Sequence, residues 1–153
     1  MTRRILTTLA SALLAAAVVV GGSAIAANKA KTKTIKLQGT VHAHATGNGT
    51  KIAGDVQDKY NGAGAIVYNN AAAGNGVKTP FTSFAKNGSY RGTATSDNTI
   101  NPDLTVTITN CTIKITGGGG AYKGAKGSGT CSGKSDAQQN DTITYKGSVK
   151  VPK

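Results

Sequence analysis

The stretch Ile35-Lys36-Leu37-Gln38-Gly39-Thr40-Val41-His42-Ala43-His44-Ala45 decides the fold. Ile35, Leu37, Val41, Ala43 and Ala45 share one parity, while Lys36, Gln38, Thr40, His42 and His44 share the other. A period of two with one apolar and one polar face is the signature of a half-buried β-strand. The same period returns at the C-terminus, where Ile143, Tyr145, Val149 and Val151 alternate with Thr142, Thr144, Lys146, Ser148 and Lys150. Shorter runs at 51–57, 63–68, 79–86 and 89–95 carry it less completely. No segment after residue 26 spaces its apolar residues by three and four over a dozen positions, so little helix is predicted.

Working outward, Asn48-Gly49, Asn61-Gly62, Asn75-Gly76 and Asn87-Gly88 fall between the alternating runs. Asn-Gly accepts the positive φ angles of tight hairpins, so these dipeptides predict antiparallel neighbours. One segment changes phase: Leu104, Val106 and Ile108 lie on even positions, Ile113 and Ile115 on odd ones. A single straight strand cannot bury both sets on one face. A bulge or bend at Asn110-Cys111-Thr112, or two separate strands, would reconcile them. The count comes to seven to nine strands, which reads as a sandwich or a closed barrel.

The N-terminus reads as an export signal. Met1-Thr2-Arg3-Arg4 is a short basic region, Ile5–Val20 is almost wholly apolar, and Ala24-x-Ala26 fits the small-x-small cleavage pattern. The apolar run is shorter than the roughly 20 residues that span a bilayer comfortably, which favours cleavage after Ala26 over a retained anchor. The chain divides into a helical signal peptide (1–26), a flexible basic leader (27–34) and a β domain (35–153). The expected location is extracellular.

Removing residues 1–26 from the 153 leaves 127, enough for one domain with one core. It also takes Arg3 and Arg4 from the 18 basic residues, leaving 16 against six Asp, a net charge of +10. There is no Glu, and Arg91 is the only Arg left. Charge carried by lysine, with no Trp and few aromatics, argues against nucleic-acid readout or strand stacking. It suits solubility, or loose association with anionic cell-wall polymers or lipid head groups.

Ile115-Thr116-Gly117-Gly118-Gly119-Gly120-Ala121-Tyr122-Lys123-Gly124-Ala125-Lys126-Gly127-Ser128-Gly129-Thr130 resembles a motif of the dirigent and allene-oxide-cyclase barrels, with exported bacterial relatives. Their pattern is strand, Gly-Gly-Thr-Gly, aromatic, x, Gly-Ala, x, Gly, and Gly119 stands where Thr is usual. The resemblance implies an all-β, antiparallel, eight-stranded barrel of calycin-like shape. Read physically, the four glycines suit a turn at a barrel rim. A phosphate-cradling loop is disfavoured, since no helix follows and the Lys-Ser/Thr ending is missing.

Cys111 and Cys131 flank this motif on segments read as adjacent strands. In an exported chain they are expected to form a disulfide, closing a loop of about 20 residues; a free thiol pair or a metal pair are the alternatives. His42 and His44 point to one face, a spacing that can grip a divalent metal. That face is the outer one, which favours two solvent-facing histidines, and no resident metal or cofactor is expected. The absence of Glu removes the carboxylate associated with the allene-oxide-cyclase site. The aspartates sit mostly in turn-like company, with Asp55 and Asp58 at a strand end beside Tyr60, and no nucleophile–base set has local support. The expectation is a non-enzymatic exported barrel that binds a small apolar molecule or serves as a surface module. A dirigent- or cyclase-like enzyme and a lysine-mediated binder of anionic polymers are the alternatives.

Overall fold

A computed structural model describes residues 31–153. The expected signal peptide, its expected cleavage at Ala24/Ala26 and the first part of the expected leader lie outside the described residues. Eight strands follow one another: β1 (Thr32–Thr46), β2 (Lys51–Asp58), β3 (Gly62–Asn69), β4 (Gly74–Ala85), β5 (Gly88–Ile100), β6 (Val106–Gly120), β7 (Lys126–Ser135) and β8 (Asn140–Pro152). Each pairs antiparallel with its sequence neighbour, and β8 returns to β1 to close an up-and-down barrel. The closing ladder runs from Thr32 opposite Pro152 to His44 opposite Asn140. Closure pairs every strand on both sides and so removes the exposed edges of an open sheet.

The alternation read from β1 and β8 places its apolar set inside. Leu37, Val41 and Ala43 are buried, as are Val149 and Val151, while His42 and His44 are exposed. Strand β1 begins at Thr32, before the expected start at Ile35. Lys33 lacks an apolar face of its own, but it is recruited opposite Val151 by the closing ladder.

The phase slip resolves as one continuous β6 with a bulge. Asn110 takes φ 48°, and the β6–β7 register skips between Ile108 and Cys111. Val106 and Ile108 before the bulge therefore face the same interior as Cys111, Ile113 and Ile115 after it. Leu104 does not join them. It sits in the β5–β6 turn with φ 64° and is 69 % exposed.

Two turn expectations need correction. Asn75-Gly76 is no hairpin turn: it lies within β4, where the register with β5 shifts between Gly74 and Val77. The Asp97 carboxylate accepts hydrogen bonds from the Gly76 amide (2.8 Å) and from Asn110 Nδ2 (2.7 Å), so one side chain on β5 ties the bulges of both neighbours. These bonds, Asn110 first, hold its carboxyl below the usual range. Likewise Gly117–Gly120 form no turn. They are the end of β6, paired with Arg91, Tyr90, Ser89 and Gly88 of β5. The reversal comes after them, at Ala121–Ala125, with Gly120 at φ 59° and Gly124 at φ 71°.

That β6–β7 loop plugs one end of the barrel. Tyr122 and Ala125 fold back onto Leu37, Tyr90, Ile115, Val149 and Val151 to form one core cluster. The Tyr90 and Tyr122 rings lie 5.3 Å apart. A Cβ at Gly118 would stand 2.6 Å from the Tyr122 carbonyl oxygen, so the glycine run lets the loop seat this deeply. A second cluster of Val41, Ala43, Ile52, Val56 and Tyr68 lines the β1–β3 wall.

Cys111 and Cys131 are directly opposite in the β6–β7 ladder, with Cα atoms 4.8 Å apart and sulfurs at disulfide distance. Their separation of 20 residues gives a bridge worth about 3 kcal/mol by unfolded-chain entropy. Reduction should lower unfolding stability by about that amount in denaturant titrations. Two free thiols in unreduced protein, detected by labelling, would remove the bridge.

Candidate functional site

Inside the barrel lies a cavity of about 120 Å³. It runs from Leu37, Tyr90 and Ile115 near the plugged end to Ala71, Asn98 and Asp141 at the other. Most of its wall is apolar, with Val41, Val56, Ile66, Phe81, Ile108 and Ile143 contributing from six strands. The sparse large residues and the inward-facing glycines of β7 leave this space. Its size is on the order of the cavities that admit a single benzene-like ring.

Polar groups collect on one side and towards the open end. Thr79, Ser83, Ser96 and Asn98 are buried on β4 and β5. Ser96 donates to Asn98 Oδ1 at 2.8 Å, and Asn98 Nδ2 donates to the Ala72 carbonyl at 3.1 Å, fastening the β3–β4 loop over the mouth. Across from them the Tyr68 hydroxyl donates to Asp141 Oδ2. Asp141 is 9 % exposed and lines the cavity. Burial first, and then the carboxylate beside it, push the Tyr68 hydroxyl far above its ordinary value of about 10. Tyr68 is therefore a fixed donor at any ordinary pH.

A second tyrosine–aspartate pair stands at the β2–β3 turn. Asp58 accepts from the Tyr145 hydroxyl (2.8 Å) and the Gln38 amide (3.0 Å) through Oδ2. Through Oδ1 it accepts from the Tyr60 and Asn61 amides and from Asn61 Nδ2, all within 2.9 Å. With both oxygens engaged it serves as a structural clamp. Burial, and then Asp58, raise the Tyr145 hydroxyl as well. Among the described residues Asp141 receives Tyr68 alone of the side chains, which leaves it capacity to accept from a guest.

His42 and His44 stand on the outside, His42 opposite Asp55 on β2. Among the described residues no group of three or more His, Cys, Asp or Glu is gathered as metal ligands. Asp58, expected at a strand end in turn-like company, is buried, and so is Asp141, which the sequence reading does not single out; parity points to both. Asp58 continues the inward set Ile52 and Val56, and Asp141 precedes Ile143 and Tyr145 on the same face. A wider depression of about 640 Å³ lies outside, over β7, β8 and β1. Its walls, including Thr130, Ser132, Thr144 and Lys146, are exposed strand faces and enclose nothing.

The fold and lumen define the class: an all-β closed barrel of eight antiparallel strands with a small, mostly apolar interior. No family model matches the chain, and no curated protein matches it. Among solved structures it is similar to that of the pterocarpan synthase dirigent protein GePTS1, at 18% identity over 80% of this chain and 87% of that one, with a TM-score of 0.37.

Proposed function

We propose that this is an exported, non-enzymatic barrel that holds a small apolar molecule in its lumen. The guest carries one hydroxyl or amine that donates to Asp141. The observation that carries the reading is the apolar cavity with a buried, under-used carboxylate at its open end. Burial of apolar surface supplies affinity, and one placed acceptor supplies orientation. Loss of the Asp141 acceptor would leave the guest's donor unpaired, which costs more than the bond itself is worth.

Thermal-shift titration with single-ring phenols, aromatic amines and terpenoid alcohols tests this. A true guest at 100 times its Kd should stabilise the fold by about 2.7 kcal/mol. The Asp141→Asn variant should bind aromatic amines more weakly while retaining apolar binding. Absence of a shift with every class would favour a purely structural surface module.

A second reading, a cyclase- or dirigent-like enzyme, is favoured by the same Asp141–Tyr68 pair, since a buried titratable group in a lumen is what acid–base chemistry requires. Chemical conversion of a bound guest, followed by chromatography, would select it over simple binding.

A further inference from the structure

Charge is uneven along the barrel axis. Five pieces of chain reach the plugged end, and every one brings an exposed lysine: Lys31 and Lys33 where β1 begins, Lys59 in the β2–β3 turn, Lys86 in the β4–β5 turn, Lys123 in the β6–β7 loop, and Lys150 and Lys153 where β8 finishes. The acid of that end, Asp58, is buried and bonded internally. The open end is mixed: Asp103 in the β5–β6 turn and Asp136 in the β7–β8 turn stand against two exposed lysines at strand ends, Lys51 and Lys134, and its connections carry no lysine.

The lysines of the plugged end are held close together. The Lys153 amide donates to the Lys31 carbonyl (2.8 Å), and the Ala121 amide donates to the Asn87 carbonyl (2.9 Å), which draws the Lys123 loop to the Lys86 turn. Lys126 is directly opposite Lys150 in the β7–β8 ladder. Like charges facing across a ladder destabilise a sheet, so this end carries an electrostatic cost that an anionic partner would relieve.

We propose that the plugged end docks flat on an anionic lipid surface, leaving the lumen mouth directed away from it. A ring of lysines around a barrel end matches a plane of charge better than a single polymer strand, which would follow a stripe. The chain also enters the barrel at this end: the sequence preceding Lys31, with its apolar run Ile5–Val20, joins β1 beside Lys33. On the reading of residues 1–26 as an export signal, on which this step rests, a lipid surface is the partner this end meets before cleavage. Tyr60 sits on the same rim, half exposed, with the Lys36 and Lys59 amines 5.9 and 5.8 Å from its ring centre. An aromatic ring flanked by long amines is suited to the head-group level of a bilayer.

The test is sedimentation of the processed protein, purified from exporting cells, with phosphatidylcholine vesicles containing or lacking phosphatidylglycerol. Binding is expected only to the anionic vesicles. It should fall away as salt shortens the Debye length from about 10 Å at 0.1 M to about 3 Å at 1 M. Lysines near such a surface each contribute substantially, so a variant with Lys59, Lys86, Lys123 and Lys150 changed to Gln should bind at least about tenfold more weakly. A control with Lys51, Lys78, Lys114 and Lys134 changed to Gln should bind as the parent does. Circular dichroism melts verify that both variants are folded. Equal loss in the two variants would overturn the proposal, as would salt-independent binding to neutral vesicles. Poly(glycerol phosphate) held as tightly as vesicles at equal phosphate would replace the lipid surface by a wall polymer.

Discussion

Replacing Asp58 by alanine is expected to lower unfolding stability by about 4 kcal/mol, measured by denaturant titration with the disulfide intact. Asp58 is 8 % exposed and accepts hydrogen bonds from three segments: β1 through Gln38, the β2–β3 turn through Tyr60 and Asn61, and β8 through Tyr145. The turn amides can turn to water when the carboxylate is gone, so their loss is cheap. The Gln38 amide and the Tyr145 hydroxyl instead tie the turn to the neighbouring strands β1 and β8, and hydrogen bonds to a charged acceptor are worth roughly 1.5–3 kcal/mol each. Those two alone account for the expected figure. Asp58→Asn should fall between, because one acceptor oxygen survives. A cost below about 1 kcal/mol for Asp58→Ala would show that the carboxylate is dispensable and that the β2–β3 turn is held by its backbone alone.

The role of Asp58 also shows which parts of this molecule can be read from sequence. The β1 and β8 alternation is a local signal, set by burial on one face, and it placed Leu37, Val41, Val149 and Val151 correctly without knowledge of their partners. The bulge at Asn110 was legible for the same reason, since two apolar sets of opposite parity must share one interior. Leu104 departs from its parity set because parity is silent about where a strand starts. Its positive φ belongs to the turn that Asp103 and Thr105 build, with the Thr105 amide donating to Asp103 Oδ1 at 3.1 Å. Asn75-Gly76 departs from its hairpin signal for a non-local reason: Asp97, 21 residues further on, captures the Gly76 amide within a bulge. The glycine run was legible as a place of close approach. Its ladder partners, Gly88–Arg91 of β5, lie about 30 positions earlier, and Gly118 alone gives way to the returning Tyr122, so a local reading sees a turn where the fold has a strand. The lumen was the least legible feature. Its volume depends on eight inner faces at once, and its acceptor Asp141 makes sense only when Tyr68, 73 residues away, is brought across from β3.

Gly39 joins the backbone and side-chain halves of the Asp58 clamp, and Gly39→Ala should cost about 3–4 kcal/mol. In the ladder Gly39 lies opposite Asp58 on β2 and opposite Tyr145 on β8, so the Tyr145 side chain must cross it to reach the carboxylate. A Cβ there would stand 2.1 Å from the Gln57 carbonyl oxygen, 2.8 Å from the Tyr145 hydroxyl and 2.9 Å from Asp58 Cα. Two of those three atoms are backbone and cannot swing aside. Space is the reason for this glycine; at Gly62 the reason is a positive φ of 78° with open room around it, and Gly62→Ala should cost only about 1 kcal/mol. At Gly39, overpacking contributes about 1–3 kcal/mol, and displacement of Tyr145 from Asp58 forfeits a bond worth roughly 1.5–3 kcal/mol. The two causes are separable by a double-mutant cycle with Tyr145→Phe. If the methyl group evicts the hydroxyl, Tyr145→Phe should be costly in the parent and close to neutral in the Gly39→Ala background. Simple additivity would mean that Tyr145 keeps its bond to Asp58 and that the whole cost falls on the β1–β2 ladder.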